Sequence, residues 1–166
     1  MAKDFREYLV EVSRHETFGR VFKEVAVGSK VLISFQASNV HGCYPEETLD
    51  DVYAYTHWEV SLRSTKPAID VPKAGAWEFL KHNYWAKPFD KPDFQRAIAA
   101  DNVPAKHCQR ILEDVIEYAL LKGQLESEDD IRLIEQDEEV KKYTKNASVG
   151  CSGCGGGQKT IEKKAD

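Results

Sequence analysis

The side chains able to do chemistry fall in two places. Near the end of the chain, Cys151-Ser152-Gly153-Cys154-Gly155-Gly156-Gly157 sets two thiols two residues apart in a glycine-rich run. Thiolates at that spacing can close one edge of a tetrahedral zinc site, supply half the ligands of an iron–sulfur cluster, or form a redox pair. Glycine lets the backbone turn around a metal or a disulfide with no Cβ in the way. A second Cys-x-x-Cys is missing, so a four-thiolate set would have to borrow Cys43 and Cys108. The same run also reads as a flexible linker with two incidental thiols, or as a tail whose cysteines another enzyme modifies.

The second place is a predicted hairpin. His41 and Cys43 stand in a loop after one strand, and His57 and Glu59 share the polar face of the next. Together they would give an imidazole, a thiol and a carboxylate, enough for a Cys–His nucleophile pair or a divalent metal. The spacing matches no diagnostic motif. A small buried thiol and a solvated strand face are the plain alternative.

These groups need elements to position them. Phe5, Tyr8, Leu9 and Val12 predict a helix over about 3–12, and Ser13 with Glu16, before Phe18, Val21, Phe22 and Val25, predicts a second over 14–27. Val31-Leu32-Ile33-Ser34-Phe35 predicts a strand over 30–37, and residues 38–51 a long loop. Strict alternation from Val52 to Leu62 predicts a strand with one wet face, hence an antiparallel sheet. A short helix over 74–82 is followed by an irregular aromatic segment over 83–92. Asp93 caps a helix to about Ala100, and Pro104 opens a longer one to Gly123. Ser127 opens a last, acidic helix. The expected fold is α+β: N-terminal helices, a small antiparallel sheet, a helical C-terminal segment and a Gly/Cys tail. One domain would span 1–145 and the tail 146–166.

Composition narrows the function. With 23 Lys and Arg against 28 Asp and Glu, the net charge of −5 provides no general attraction to nucleic acid. Residues 98–111 could pass for a helix-turn-helix, but Leu112-Glu113-Asp114-Val115-Ile116-Glu117 lacks the basic footprint. Gly155-Gly156-Gly157-Gln158-Lys159-Thr160 has neither the strand nor the helix of a phosphate loop. No apolar run suits a membrane span or signal core, so a soluble, cytoplasmic protein is expected. The leading expectation is an accessory protein that docks on a protein partner through Trp77, Tyr84, Trp85 and Phe89 and uses Cys151 and Cys154 to hold zinc, a cluster or an oxidising equivalent. The apolar face of the helix around 104–122 is wide enough to suggest a homodimer. The alternatives are an enzyme built on His41, Cys43, His57 and Glu59, and an inhibitor whose acidic 126–139 segment mimics nucleic acid.

The Cys pair makes one direct prediction. Protein purified without oxygen should carry zinc, or iron with a visible charge-transfer band, and the Cys151→Ser/Cys154→Ser variant should carry neither. Metal analysis and an absorption spectrum on both proteins decide it, and equal metal content in the two would remove the pair from the account.

Overall fold

The computed structural model describes residues 2–64, 76–89 and 98–135. The chain divides into two units, Met1–Glu135 and Gln136–Asp166. The second unit, with Cys151, Cys154 and most of the expected last helix, lies outside the described residues. So do Asp93 and the segment expected to carry its helix, up to residue 97.

The architecture is α+β, with two antiparallel sheets and one long helix. Strands β1 (Glu11–His15) and β2 (Gly19–Phe22) form a hairpin. Strands β3 (Glu24–Val27), β4 (Val31–Gln36), β5 (His57–Ser64), β6 (Ile98–Pro104) and β7 (Arg132–Ile134) form a five-stranded sheet in the order β6-β5-β4-β3-β7, every pair antiparallel. Between β5 and β6 lies the short helix α1 (Ala76–Leu80), and directly after β6 comes α2 (Ala105–Leu121). No helix among the described residues is long and apolar enough to cross a membrane.

The N-terminal third departs most from expectation. Instead of two helices it holds one 3-10 turn, Phe5–Tyr8, capped by the Asp4 carboxylate, and then three strands. Phe5 and Tyr8 do point into the core, as the spacing implied. Beyond them, the β-branched Val12, Val21, Val25 and Val27 favour pairing, and the hydrogen bonds available across a sheet override a weak local helical pattern. All four β3 residues are buried, so that strand shows no alternation to read. Residues 98–104 are likewise a strand, which removes the helix-turn-helix reading. The Ser127 capping box is present, but it closes only the 3-10 turn Glu128–Asp130 before β7.

The long helix was legible. Pro104 stands at its N-cap, and it ends at Gly123, whose φ of +68° lets Gln124 N–H reach Ala119 C=O and Gly123 N–H reach Leu120 C=O. Its buried side chains Cys108, Ile111, Leu112, Val115 and Ala119 join one face of the sheet in a single core. Phe5 packs there against Phe35 and Trp58, ring centroids 4.8 and 5.2 Å apart. The opposite face is not uniformly wet. Across β4, the carboxylate of Glu24 on β3 takes a two-point ion pair from Arg63 on β5, at 2.5 and 3.3 Å, and both residues are buried.

After β4, the chain is steered by Arg20 on β2, which is 1 % exposed. Its Nη1 donates to Leu49 C=O (2.6 Å) and its Nη2 to Ala37 C=O (2.8 Å) and the Tyr55 hydroxyl (3.1 Å). The guanidinium also lies 4.5 Å from the Phe22 ring centroid. Tyr55 completes the clamp by donating to Glu47 C=O and accepting from Leu49 N–H. Both ends of the 38–51 loop are therefore tied to one cation. Arg20→Lys keeps the charge but loses the planar fork, and should cost about 3 kcal/mol. Urea unfolding measures the loss; amide exchange at Leu49 should accelerate, and an unchanged Leu49 would show that the clamp does not hold the loop.

Candidate functional site

The clamped loop brings part of the predicted hairpin cluster together. Where β4 ends at Gln36, Tyr44 takes its lane beside His57, donating its N–H to His57 C=O at 3.1 Å. Gly42 then bridges two strands. Its N–H donates to Glu59 Oε1 on β5 (2.9 Å), and its C=O accepts from Asn102 N–H on β6 (2.8 Å). Opposite Glu59 the register slips, with Trp58 facing Val103 and Val60 facing Ala100, so Asp101 and Asn102 together oppose one residue. Asn102 absorbs the bulge with φ 55°, a left-handed conformation that asparagine tolerates better than most. A Cβ on Gly42 would come within 2.6 Å of Asp101 Cβ and Oδ1, so the crossing needs glycine.

Burial shifts the groups at this crossing toward their neutral forms. His41 accepts or donates a 2.7 Å bond between its Nδ1 and Ser38 Oγ, and burial, helped by the Arg20 charge and opposed by Asp101, pushes its imidazole down to about 4. Burial pushes the Glu59 carboxyl up; the Asp101 charge adds to this, while the Gly42 N–H works against it. Burial also pushes the Cys43 thiol up, and its Sγ donates to Ser38 C=O (3.2 Å) and Pro45 C=O (3.4 Å). The structure thus places Cys43 under the loop, directed at two carbonyls rather than at an imidazole, which does not fit the expected nucleophile pair. His57 stands apart, its Nδ1 2.8 Å from Thr56 Oγ1. Among the described residues no group of three or more His, Cys, Asp or Glu side chains is arranged to hold a metal. Cys108 is fully buried in the core with its thiol toward Val103 C=O.

The aromatic anchors are corrected in the same way. Trp77, Trp85 and Phe89 are buried and pack on one another, with Trp85 centroids 6.2 Å from Trp77 and 5.7 Å from Phe89. The Trp85 indole N–H donates to Asp114 Oδ2 at 2.7 Å, and Arg110 Nε bonds the other oxygen at 3.1 Å. Large rings near a helix are drawn into the core first, because they remove the most apolar area from water. Tyr84 alone of the four is exposed, its ring edge on His107.

The exposed apolar side chains among the described residues include two neighbours at the end of α2. Leu120 is 41 % and Leu121 66 % exposed, and with Ala2 and Ile116 they line a groove of about 520 Å³ whose polar members are Glu113, Glu117 and Glu128. The signal was present in the sequence: Leu121 falls outside the stripe that Ile111, Leu112, Val115 and Ala119 define. No protein-family profile matches the chain, and no curated protein and no solved structure matches it.

The buried imidazole makes stability depend on acid. Because the folded value of His41 lies below the unfolded 6.5, the unfolded chain binds the proton more readily between about 4 and 6.5. His41's contribution is complete above that window and lost as pH falls through it, with a ceiling of about 3 kcal/mol. Glu59, shifted up, acts with the opposite sign, favouring the folded state when protonated. His41→Gln should therefore lose much less stability on acidification than the native protein. Urea midpoints across the window test this; parallel profiles for the two proteins would refute it.

Proposed function

We propose that this chain is a small accessory protein that docks on a protein partner through its folded unit and serves it through Cys151 and Cys154, which hold zinc, an iron–sulfur cluster or exchange thiols. The observation that carries the docking half is the groove at the end of α2. Two adjacent leucines in the last turn of a helix otherwise packed by its apolar stripe stay open to water, which costs free energy unless a partner covers them. An enzymatic reading on the hairpin has less support, since the Cys43 thiol is shifted away from the thiolate that a nucleophile needs. Acidic mimicry is the second reading, favoured by the three carboxylates that border the groove.

Affinity capture with the full chain should enrich a protein that Leu120→Ser/Leu121→Ser fails to retain, and that protein, once purified, should bind the native chain alone. Both serines sit on an exposed surface, so the thermal midpoint should barely move. Equal retention by the two proteins would remove the groove from the proposal.

A further inference from the structure

We infer that the groove at the end of α2 receives an amphipathic helix of a partner protein, with apolar anchors along one face and Lys or Arg beside them. This inference rests on the docking reading and adds the chemistry of the occupant. The floor is apolar: Ala2, Ile116, Leu120 and Leu121. The border carries one sign of charge only, through Glu113, Glu117 and Glu128. Glu113 is shared with Arg110 at 3.6 Å and with Gln109 at 3.1 Å, whereas Glu117 and Glu128 have no ion-pair partner among the described residues. Glu7 and Asp129 extend the negative field, for together with Glu128 they add to burial in pushing the nearby Tyr8 hydroxyl up.

Glu113 and Glu117 lie four residues apart along α2, and so do Ile116 and Leu120, so an acidic row runs beside an apolar row. An occupant with the matching rows carries its apolar side chains at i, i+3, i+4 and i+7 and its basic ones alongside. The lining comes from side chains of α2 and its neighbours, and no sheet edge borders the groove to pair with an extended strand. An occupant must therefore satisfy its own backbone N–H and C=O groups, as a helix does. A second copy of this chain fits poorly, because two-fold apposition of the same patch sets Glu113, Glu117 and Glu128 against one another.

The test uses the full chain and two synthetic probes, labelled helices of roughly four turns with the same leucine pattern, one otherwise lysine and the other otherwise glutamate. Fluorescence anisotropy should show saturable binding of the Lys/Leu probe that weakens with added salt. Affinity should fall about tenfold in Leu120→Ser/Leu121→Ser, which keeps every carboxylate, and by a similar factor in Glu117→Lys/Glu128→Lys, which keeps the apolar floor. Lys/Leu binding untouched by the serines would reduce the effect to general charge attraction and overturn the proposal. Preference for the Glu/Leu probe would overturn the basic chemistry while leaving the docking reading intact. Concentration-dependent self-association that the serines abolish would make a second copy the occupant and overturn it too. No probe binding would overturn the inference, and joined to a failed capture it would overturn the docking reading as well.

Discussion

One buried cation organises the part of this fold that was richest in candidate chemistry. Arg20 faces two backbone carbonyls, a phenol and an aromatic ring, and among the described residues no carboxylate is its hydrogen-bond partner. Burying a charge on such partners costs a great deal unless several donors are satisfied together, and the guanidinium fork reaches groups that a lysine could reach only one at a time. The result is structural before it is chemical. Ala37 and Leu49, twelve residues apart in sequence, are fixed to one planar group, so the loop between them is a defined strap. Gly42 can then cross from Glu59 to Asn102 at hydrogen-bonding distance. Gly19, one residue before Arg20, has φ +78° and leaves no room for a Cβ against Ser38 and Val40, which shows how closely the strap lies on the hairpin.

Burial of the strap's side chains, more than this cation, weighs against the acid–base or nucleophilic roles that the sequence suggests for them. Burial opposes protonation of the His41 imidazole, and the nearby Arg20 charge acts in the same direction. Cys43 receives some help from Arg20 toward the thiolate, yet burial outweighs it, and Glu59 and Glu46 oppose it. Glu59 spends one oxygen on a backbone N–H at the crossing. His41, Cys43 and Glu59 are thus engaged with the strap, and these residue types that suggest chemistry in the sequence serve as loop supports in the fold.

What was legible in the sequence follows from which interactions are local. The strand at Val31–Gln36, the alternation of Trp58, Val60 and Leu62 against His57, Glu59 and Ser61, and the Pro104-to-Gly123 helix all rest on short-range patterns, and each is present with modest shifts at its ends. Val52–Tyr55 failed to extend the strand because the clamp uses Tyr55 at a turn instead of in the ladder. The N-terminal strands failed for a different reason. The partners of β3 lie across the sheet, Val25 opposite both Ile33 and Leu133, and a strand with neighbours on two sides and no wet face leaves no periodic signature, while β1 is exposed along its whole length and so shows no alternation either. Arg20 could not be recognised either, since a lone arginine in an apolar stretch reads as a surface residue until its carbonyl partners are known.

The acid side chains show the same division between support and surface. Glu24 is committed to Arg63 and Asp114 to Trp85 and Arg110, in buried settings where removing the partner would strand a charge, and Glu59 is committed to the Gly42 N–H. Glu117 and Glu128 carry no such commitment among the described residues, and they stand beside the leucines that the core left out. An acidic chain can keep unpaired carboxylates anywhere on its surface at little cost, so their sign alone means little. Their position means more: apolar side chains bordered by one sign of charge have both a reason to be covered and a rule for what can cover them. The strap is held by hydrogen bonds to its neighbours, whereas among the described residues Leu120 and Leu121 at the end of α2 stay exposed beside carboxylates.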